Sequence, residues 1–107
     1  MACKTVILAS RETGWSRAEC IEYVRSEHAP LVAELPGLLR YTSSVPSEPE
    51  AAGVDCVAQL YFEDAAARDA AFDSETGAAV RADAAEFLDT DALRTVTVGE
   101  ETVHVGE

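Results

Sequence analysis

The sequence predicts a single domain of the α+β class, spanning residues 1–107, with strands and helices in the order β-α-β-β-α-β. Three observations support this prediction. The length is that of one domain. No internal repeat or long linker divides the chain, and the apolar pattern alternates between the two-residue period of strands and the longer period of helices. With 48% hydrophobic residues, the chain has enough apolar side chains for one core.

The first strand and the start of the first helix have clear local signals. Cys3–Ser10 is rich in β-branched residues and is apolar on both alternating faces, which is typical of a central strand covered on both sides. Ser16 is followed three residues later by Glu19, the spacing of a capping box at a helix N-terminus. We therefore expect the first helix to begin directly after Ser16.

An apolar stripe defines the inner face of that helix. Its members are spaced alternately by three and four residues: Ile21, Val24, His28, Leu31 and Leu35. Pro30 lies within the stripe, and its ring would clash with the carbonyl of Ser26, so we expect a kink in the last turns. Pro36–Gly37 then ends the helix.

The rest of the chain continues the alternation of strands and helices. The predicted elements are a strand at Leu38–Pro46, an exposed connection at Ser47–Val54, a strand at Asp55–Glu63, helices at Ala65 to about Phe72 and at Ala78–Leu88, and strand segments at Leu93–Val98 and Thr102–Val105. Asp64 is the expected N-cap of the first of these helices. A break around Ser74–Gly77 separates the two.

The order β-α-β-β-α-β is that of the ferredoxin-like fold, a four-stranded antiparallel sheet with helices on one face. The opposite face must also be covered, because apolar residues occur there too: Val6, Leu8, Val57 and Tyr61. An apolar sheet face left in water is an association site. The sequence therefore predicts a homodimer that buries one sheet against the other.

The net charge of −12 restricts the possible partners. Fifteen of the twenty acidic residues lie after Val45, where only three arginines occur. Such a field repels phosphate groups and anionic lipid heads, so we expect neither nucleic acid nor a membrane as partner. The longest apolar run, Val6 to Ala9, is too short to span a bilayer, and no secretory signal is recognisable, which favours a cytoplasmic protein. The acid excess and the single lysine also predict adaptation to high salt, a halophilic character.

Metal and cofactor motifs are not found in the sequence. Cys3, Cys20 and Cys56 are odd in number and widely separated, which argues against a disulfide scaffold or a structural zinc site. No glycine-rich phosphate loop, nucleophile elbow or calcium loop is present either. We therefore expect no metal and no cofactor.

His28 and Tyr41 are the candidate catalytic residues. His28 lies within the apolar stripe and should point at the sheet, where a neutral imidazole can serve as a general base. Tyr41, on the next strand, could reach the same space and donate a hydrogen bond to a substrate oxygen. The alternatives are a buried histidine bonded to a backbone carbonyl and an aromatic core residue.

Several segments together resemble the EthD family of the dimeric α/β-barrel superfamily. These are His28-Ala29-Pro30-Leu31, Leu35-Pro36-Gly37-Leu38 with Tyr41, Ala58-Gln59-Leu60-Tyr61-Phe62-Glu63-Asp64, Ser74-Glu75 with Gly77, and Phe87-Leu88-Asp89. The resemblance implies a ferredoxin-like protomer whose sheet pairs with that of a partner to form a barrel. It also implies a site between sheet and helices, at His28 and Tyr41.

The superfamily includes cofactor-free monooxygenases, polyketide cyclases and a methylmuconolactone methylisomerase. The reactive cysteine of the methylisomerase corresponds to Leu60 here, so that particular chemistry is not implied. Two hypotheses follow. The first is a cofactor-free oxidoreductase, cyclase or isomerase acting on a small apolar carbonyl or phenolic compound, with a pocket lined by Val24, Leu31, Ala58, Leu60 and Phe87. The second is a non-catalytic homodimer that binds a small molecule or assists an oxidase.

Overall fold

Four antiparallel strands form one sheet in the computed structural model, which describes residues 3–106. The strands are β1 (Cys3–Ala9), β2 (Arg40–Ser44), β3 (Cys56–Phe62) and β4 (Arg94–Val98). Their spatial order is β2-β3-β1-β4, and every neighbouring pair is antiparallel. This is the order of the ferredoxin-like fold, which confirms the predicted α+β class.

The main helices lie where the fold requires them, between β1 and β2 and between β3 and β4, and a short extra helix lies between β2 and β3. The helices are α1 (Arg17–Tyr23), a π-helical segment (Val24–His28), α2 (Ala29–Val32), α3 (Pro49–Ala52), α4 (Ala65–Asp73) and α5 (Glu75–Phe87). The first three form one continuous helix between β1 and β2. No helix within residues 3–106 is long and apolar enough to cross a lipid bilayer.

The first helix begins with the predicted capping box. The Ser16 hydroxyl accepts a hydrogen bond from the Glu19 backbone N–H at 3.1 Å, and the Glu19 carboxylate accepts one from the Ser16 N–H at 2.9 Å. These bonds satisfy two backbone donors that would otherwise lack a partner. They also lower the pKa of the Glu19 carboxyl below its usual value. The start of the helix is therefore determined by local sequence.

Near Pro30, where the sequence predicts a kink, the helix widens into a π-helical segment. Within the π-helical segment, the Ala29 N–H donates to the carbonyl of Val24, five residues earlier. Proline has no N–H, and its ring crowds the carbonyl four residues before it, so an ordinary α-helical turn cannot continue unaltered. The wider turn accommodates Pro30 and carries His28 at its end. Such segments occur frequently at functional sites.

The joint between α4 and α5 consists of Ser74 alone. Its hydroxyl donates to the carbonyl of Ala71 at the end of α4 and accepts from the Gly77 N–H in the first turn of α5. A Cβ atom on Gly77 would collide with the backbone of Phe72. The predicted break is thus present, but α5 begins at Glu75 and includes residues expected to lie in the break.

The two sheet faces differ in their surroundings. The helices cover the face formed by alternate residues such as Thr5, Leu60 and Phe62, which are at most 2% exposed. Residues of the opposite face, such as Val6 and Val57, are only partly buried, and Val96 on β4 is 51% exposed. The apolar patch predicted on the second face is therefore present and uncovered in the single chain.

Two further predictions are wrong in detail. Thr102–Val105 forms no strand, and its valines are exposed, so the alternating pattern has no buried face to stabilise it. The Lys4 ammonium contacts the Glu101 carboxylate at 2.7 Å and ties the start of this segment to β1. The connection at Ser47–Val54 is not wholly irregular, since it contains α3, which Gly53 ends with a φ of 76°.

Candidate functional site

A partly open cavity of about 240 Å³ lies between the sheet and the helices. It is smaller than the roughly 300 Å³ at which pockets for drug-sized ligands begin. An apolar cavity of about 150 Å³ can hold benzene, so this one has room for a substituted single ring. Six of the seven residues proposed from the sequence line it: Val24, His28, Tyr41, Ala58, Leu60 and Phe87.

Leu31 is the exception, because it does not line the cavity. It is partly buried against the core cluster that includes Leu60 and Phe62, while Val32 takes its place at the cavity wall. The π-helical segment explains the change. Buried positions along this helix recur every four residues, at Cys20, Val24, His28 and Val32, and an ordinary α-helix would shift the last of these by about one position.

His28 is held in place by a carboxylate that the sequence analysis did not identify. Its Nδ1 lies 2.8 Å from Oδ2 of Asp83, on α5, and the residue as a whole is 9% exposed. A carboxylate can only accept, so Nδ1 carries the proton and donates. The other nitrogen, Nε2, is then left with its lone pair free, as a general base requires.

Asp83 also binds Tyr23 of α1. The Tyr23 hydroxyl donates to Oδ1 of Asp83 at 2.5 Å, so the two carboxylate oxygens accept from two different side chains. This hydrogen bond, burial and the negative charge of Asp83 raise the pKa of Tyr23 to about 12. Tyr23 therefore remains a neutral donor near neutral pH and fixes the orientation of Asp83 relative to His28.

Phe87 packs against the rings of both His28 and Tyr23. Its ring is fully buried, with its centroid 5.1 Å from that of His28 in an edge-to-face contact and 4.6 Å from that of Tyr23. Edge-to-face contacts of this kind add to the stabilisation that burial itself provides. The Phe87 ring restrains the imidazole on the side that Asp83 does not contact.

A sequence signal for Asp83 existed in the pattern of α5. The buried residues of that helix include Gly77, Val80 and Phe87, and Asp83 falls three residues after Val80 and four before Phe87. An acid at this spacing lies beside the buried stripe, where an unpaired carboxylate would be costly. Tyr23 had no comparable signal, because its approach to Asp83 depends on how α1 packs against α5.

Tyr41 lines the same cavity from β2. Its Cα is paired with that of Leu60 on β3, which places both side chains on the helix-covered face. Burial raises the pKa of Tyr41 to about 12, with a smaller contribution from Cys56. The phenol therefore keeps its proton over the physiological range and is able to donate a hydrogen bond into the cavity.

Cys56 also lines the cavity but lacks the properties of a nucleophile. It is 8% exposed, and burial raises the pKa of its thiol, with a further contribution from the charge of Asp55. The thiolate is the reactive form of cysteine, so a raised pKa keeps this residue unreactive. All three cysteines are buried and free.

A second hollow, open to solvent, surrounds Asp55, which is 5% exposed. Its carboxylate accepts from the Arg11 backbone and guanidinium at 2.9 and 2.7 Å and from the Arg17 guanidinium at 2.9 Å. Burial opposes ionisation, but these contacts together hold the pKa of Asp55 below its usual value. The charge is thus already neutralised, which is typical of a structural cluster. Within residues 3–106, no group of three or more acidic, histidine or cysteine side chains is arranged to hold a metal ion.

One family model matches most of this chain. The family model described as the EthD domain matches residues 12–91. A sequence comparison with curated proteins gave no significant match.

Three solved structures illustrate these relationships. An ethyl tert-butyl ether D (EthD) family protein from Bacillus halodurans superposes with a TM-score of 0.81 at 22% identity, covering 95% of this chain and 100% of its own. A dimeric ferredoxin-like protein of unknown function from Thermobifida fusca gives 0.75 at 18% identity, covering 94% and 92%. SnoaB from Streptomyces nogalater, a cofactor-independent oxygenase, gives 0.71 at 16% identity, covering 96% of each chain.

Proposed function

This chain belongs to the EthD domain family, and on that premise we propose that it is an enzyme that removes a proton from a small apolar carbonyl or phenolic compound. The observation that carries the proposal is the hydrogen bond from His28 to Asp83 at the wall of the cavity between sheet and helices. An apolar wall alone leaves a histidine's orientation open, whereas this contact leaves Nε2 as the proton acceptor.

The proposed first step is a proton transfer within the cavity. Nε2 of His28 takes a proton from an acidic carbon or a phenol, and the electron pair left behind is delocalised onto the substrate oxygen. The Tyr41 hydroxyl donates to that oxygen as its negative charge develops. The Asp83 carboxylate stabilises the imidazolium through Nδ1. The enolate or phenolate formed is the reactive species for ring closure, double-bond migration or reaction with molecular oxygen.

Support for oxygen chemistry comes from SnoaB, a cofactor-independent oxygenase with the same fold. An enolate or phenolate is electron-rich enough to react with molecular oxygen without a prosthetic group. Cyclase and isomerase reactions begin with the same proton transfer. The same base, first step and substrate class therefore apply to all three kinds of reaction.

Hydrogen exchange on a simple ketone tests the base without knowledge of the natural substrate. The probe is 2-indanone in D₂O, with loss of its α-proton signals followed by NMR. We expect the protein to accelerate exchange, and His28→Gln to reduce the acceleration by at least about 10²-fold, the usual range for a general base. His104→Gln removes the only other histidine, which is exposed, and is the matched control.

The competing hypothesis is a small-molecule-binding protein without catalysis, and the same experiment separates the two. Chemical-shift changes at cavity residues without any acceleration of exchange would favour binding alone. Equal acceleration by wild type and His28→Gln would contradict the assignment of the base. The same cavity could serve either function, because the fold alone does not specify one.

A further inference from the structure

Arg68 and Arg81 are the only charged residues among the nineteen that line the cavity, apart from the titratable His28. None of the lining residues is an aspartate or a glutamate. The chain as a whole contains twenty acids and eight lysines and arginines. The cavity wall therefore has a charge opposite to that of the protein around it.

Both arginines lie against Phe72. The Arg68 guanidinium carbon is 4.9 Å from the centroid of the Phe72 ring, and Nη1 of Arg81 donates to the Phe72 carbonyl at 2.5 Å. Two like charges are thus held beside one residue at the cavity wall. Arg68 has an exposed carboxylate partner in Asp69 at 3.1 Å, whereas Arg81 forms no ion pair within the described part of the chain.

A contact with the sheet holds Arg68 in this position. Its Nε donates to the hydroxyl of Thr5 at 3.0 Å, and Thr5 is fully buried on β1. A guanidinium has five N–H donors, of which Arg68 uses two and Arg81 one in the contacts described. Both side chains line the cavity, Arg68 from a partly buried and Arg81 from an exposed position at its edge. The planar guanidinium group suits a carboxylate.

We propose that the cavity takes a substrate or ligand with an apolar ring and an anionic carboxylate, and that Arg68 and Arg81 bind the carboxylate. This inference rests on the proposed function, because it specifies which small carbonyl or phenolic compounds the cavity selects. The ring lies against the apolar wall toward His28 and Tyr41, while the acid group contacts the arginines. Such a pair of charged hydrogen bonds also compensates for the repulsion between an anion and the acidic protein surface.

A matched pair of ligands tests the inference. The probes are 4-hydroxybenzoate and 4-hydroxybenzamide, which have nearly the same size and differ in charge. Affinities are measured by NMR titration of the folded protein, following cavity residues. We expect the acid to bind about tenfold more tightly than the amide, the effect of a charge-assisted hydrogen bond. Arg81→Gln should reduce this preference at least threefold and leave the affinity for the amide unchanged.

Arg94→Gln is the control, because it removes the same charge from the exposed, opposite face of the sheet. It should retain the preference for the acid. Arg68→Gln should also weaken acid binding. If that variant fails to fold because it lacks the bond to Thr5, Arg68→Lys replaces it, and this variant should weaken acid binding while remaining folded. Equal binding of acid and amide by wild type would overturn this inference but not the proposed function. An equal loss of the preference for the acid in Arg81→Gln and Arg94→Gln would do the same. Failure of both probes to perturb any cavity residue would also contradict the proposed function.

Discussion

Asp83 accepts a hydrogen bond from His28 across 55 residues of sequence, and its second oxygen accepts one from Tyr23. The contact joins α5 to the π-helical segment of the first helix. It converts a histidine in an apolar wall into one with a defined tautomer and a defined orientation. The consequences of this relationship are open to direct measurement.

Asp83→Asn should invert the tautomer of His28. The amide that replaces the carboxylate can donate to Nδ1, so Nε2 would carry the proton and lose its capacity to accept another. We expect the α-proton exchange of 2-indanone to fall by at least about 10²-fold while the fold persists. Ring ¹⁵N chemical shifts of His28 report the tautomer directly. Glu86→Gln makes the same charge change on the exposed side of α5, and should leave both readouts unchanged.

Stability should decline in alkali as the tyrosines ionise. Tyr23 and Tyr41 have pKa values of about 12 in the folded chain, above the usual value of 10.0. Their contribution is therefore complete below about pH 10 and is lost as pH rises toward 12, since the unfolded chain ionises first. Urea unfolding across this range should show a falling midpoint. Tyr23→Phe should make the decline shallower, and an unchanged slope would contradict the role of Tyr23.

Asp55→Asn should destabilise the fold by about 2 kcal/mol, because it removes charged hydrogen bonds to Arg11 and Arg17. The pKa of Asp55 is lowered in the folded chain, so its contribution is present above the usual pKa of 3.8 and is lost as pH falls below it. The difference in urea midpoint between wild type and variant should therefore shrink in acid. Glu50→Gln, at an exposed position beside the same hollow, is expected to have little effect.

We expect the exposed sheet face to mediate a homodimer; the ferredoxin-like structural relative from Thermobifida fusca is dimeric. Val96 lies on this face opposite Val6 and is 51% exposed. Val96→Asp should shift the mass measured by analytical ultracentrifugation from dimer to monomer, since it would bury a charge in the interface. Val103→Asp, at a similarly exposed position outside the sheet, should remain dimeric. A monomeric wild type would rule out this arrangement.

Potassium chloride should stabilise the fold. A net charge of −12 generates self-repulsion, and the screening length falls from about 10 Å at 0.1 M salt to about 3 Å at 1 M. We expect Tm to rise between dilute buffer and molar potassium chloride, and sodium chloride to act similarly because screening is not specific to the cation. A constant Tm would contradict the halophilic character predicted from composition.

Sequence reasoning succeeded where structure is determined locally or by a simple period. The Ser16–Glu19 capping box, the doubly apolar β1 and the alternation along β3 were predicted correctly, because each element carries its own signal. The order of the elements then predicted the fold. The alternation along β3 predicted that Ala58 and Leu60 share one face, which the helices cover. The strand predicted at Thr102–Val105 shows the limit, because alternation does not by itself supply a neighbouring strand.

The candidate site was only partly predictable, for two physical reasons. The hydrogen bond from His28 to Asp83 joins two helices that approach each other only in the folded chain. The π-helical segment changes the helical period locally, so Val32 lines the cavity in place of Leu31. A fixed period of 3.6 residues cannot anticipate that change. The two arginines of the cavity wall likewise come together through the packing of α4 against α5.

The single-residue joint at Ser74 limits how relatives of this chain could diversify. An inserted residue would separate the two bonds of the Ser74 hydroxyl, and a larger residue at Gly77 would strike the backbone of Phe72. Lengthening the chain there is therefore disfavoured. Arg81 and Asp83, which lie on α5, are thus not readily repositioned by an insertion at this joint. New ligand preferences are more readily acquired by exchanging side chains that line the cavity, or by altering the exposed connection that contains α3.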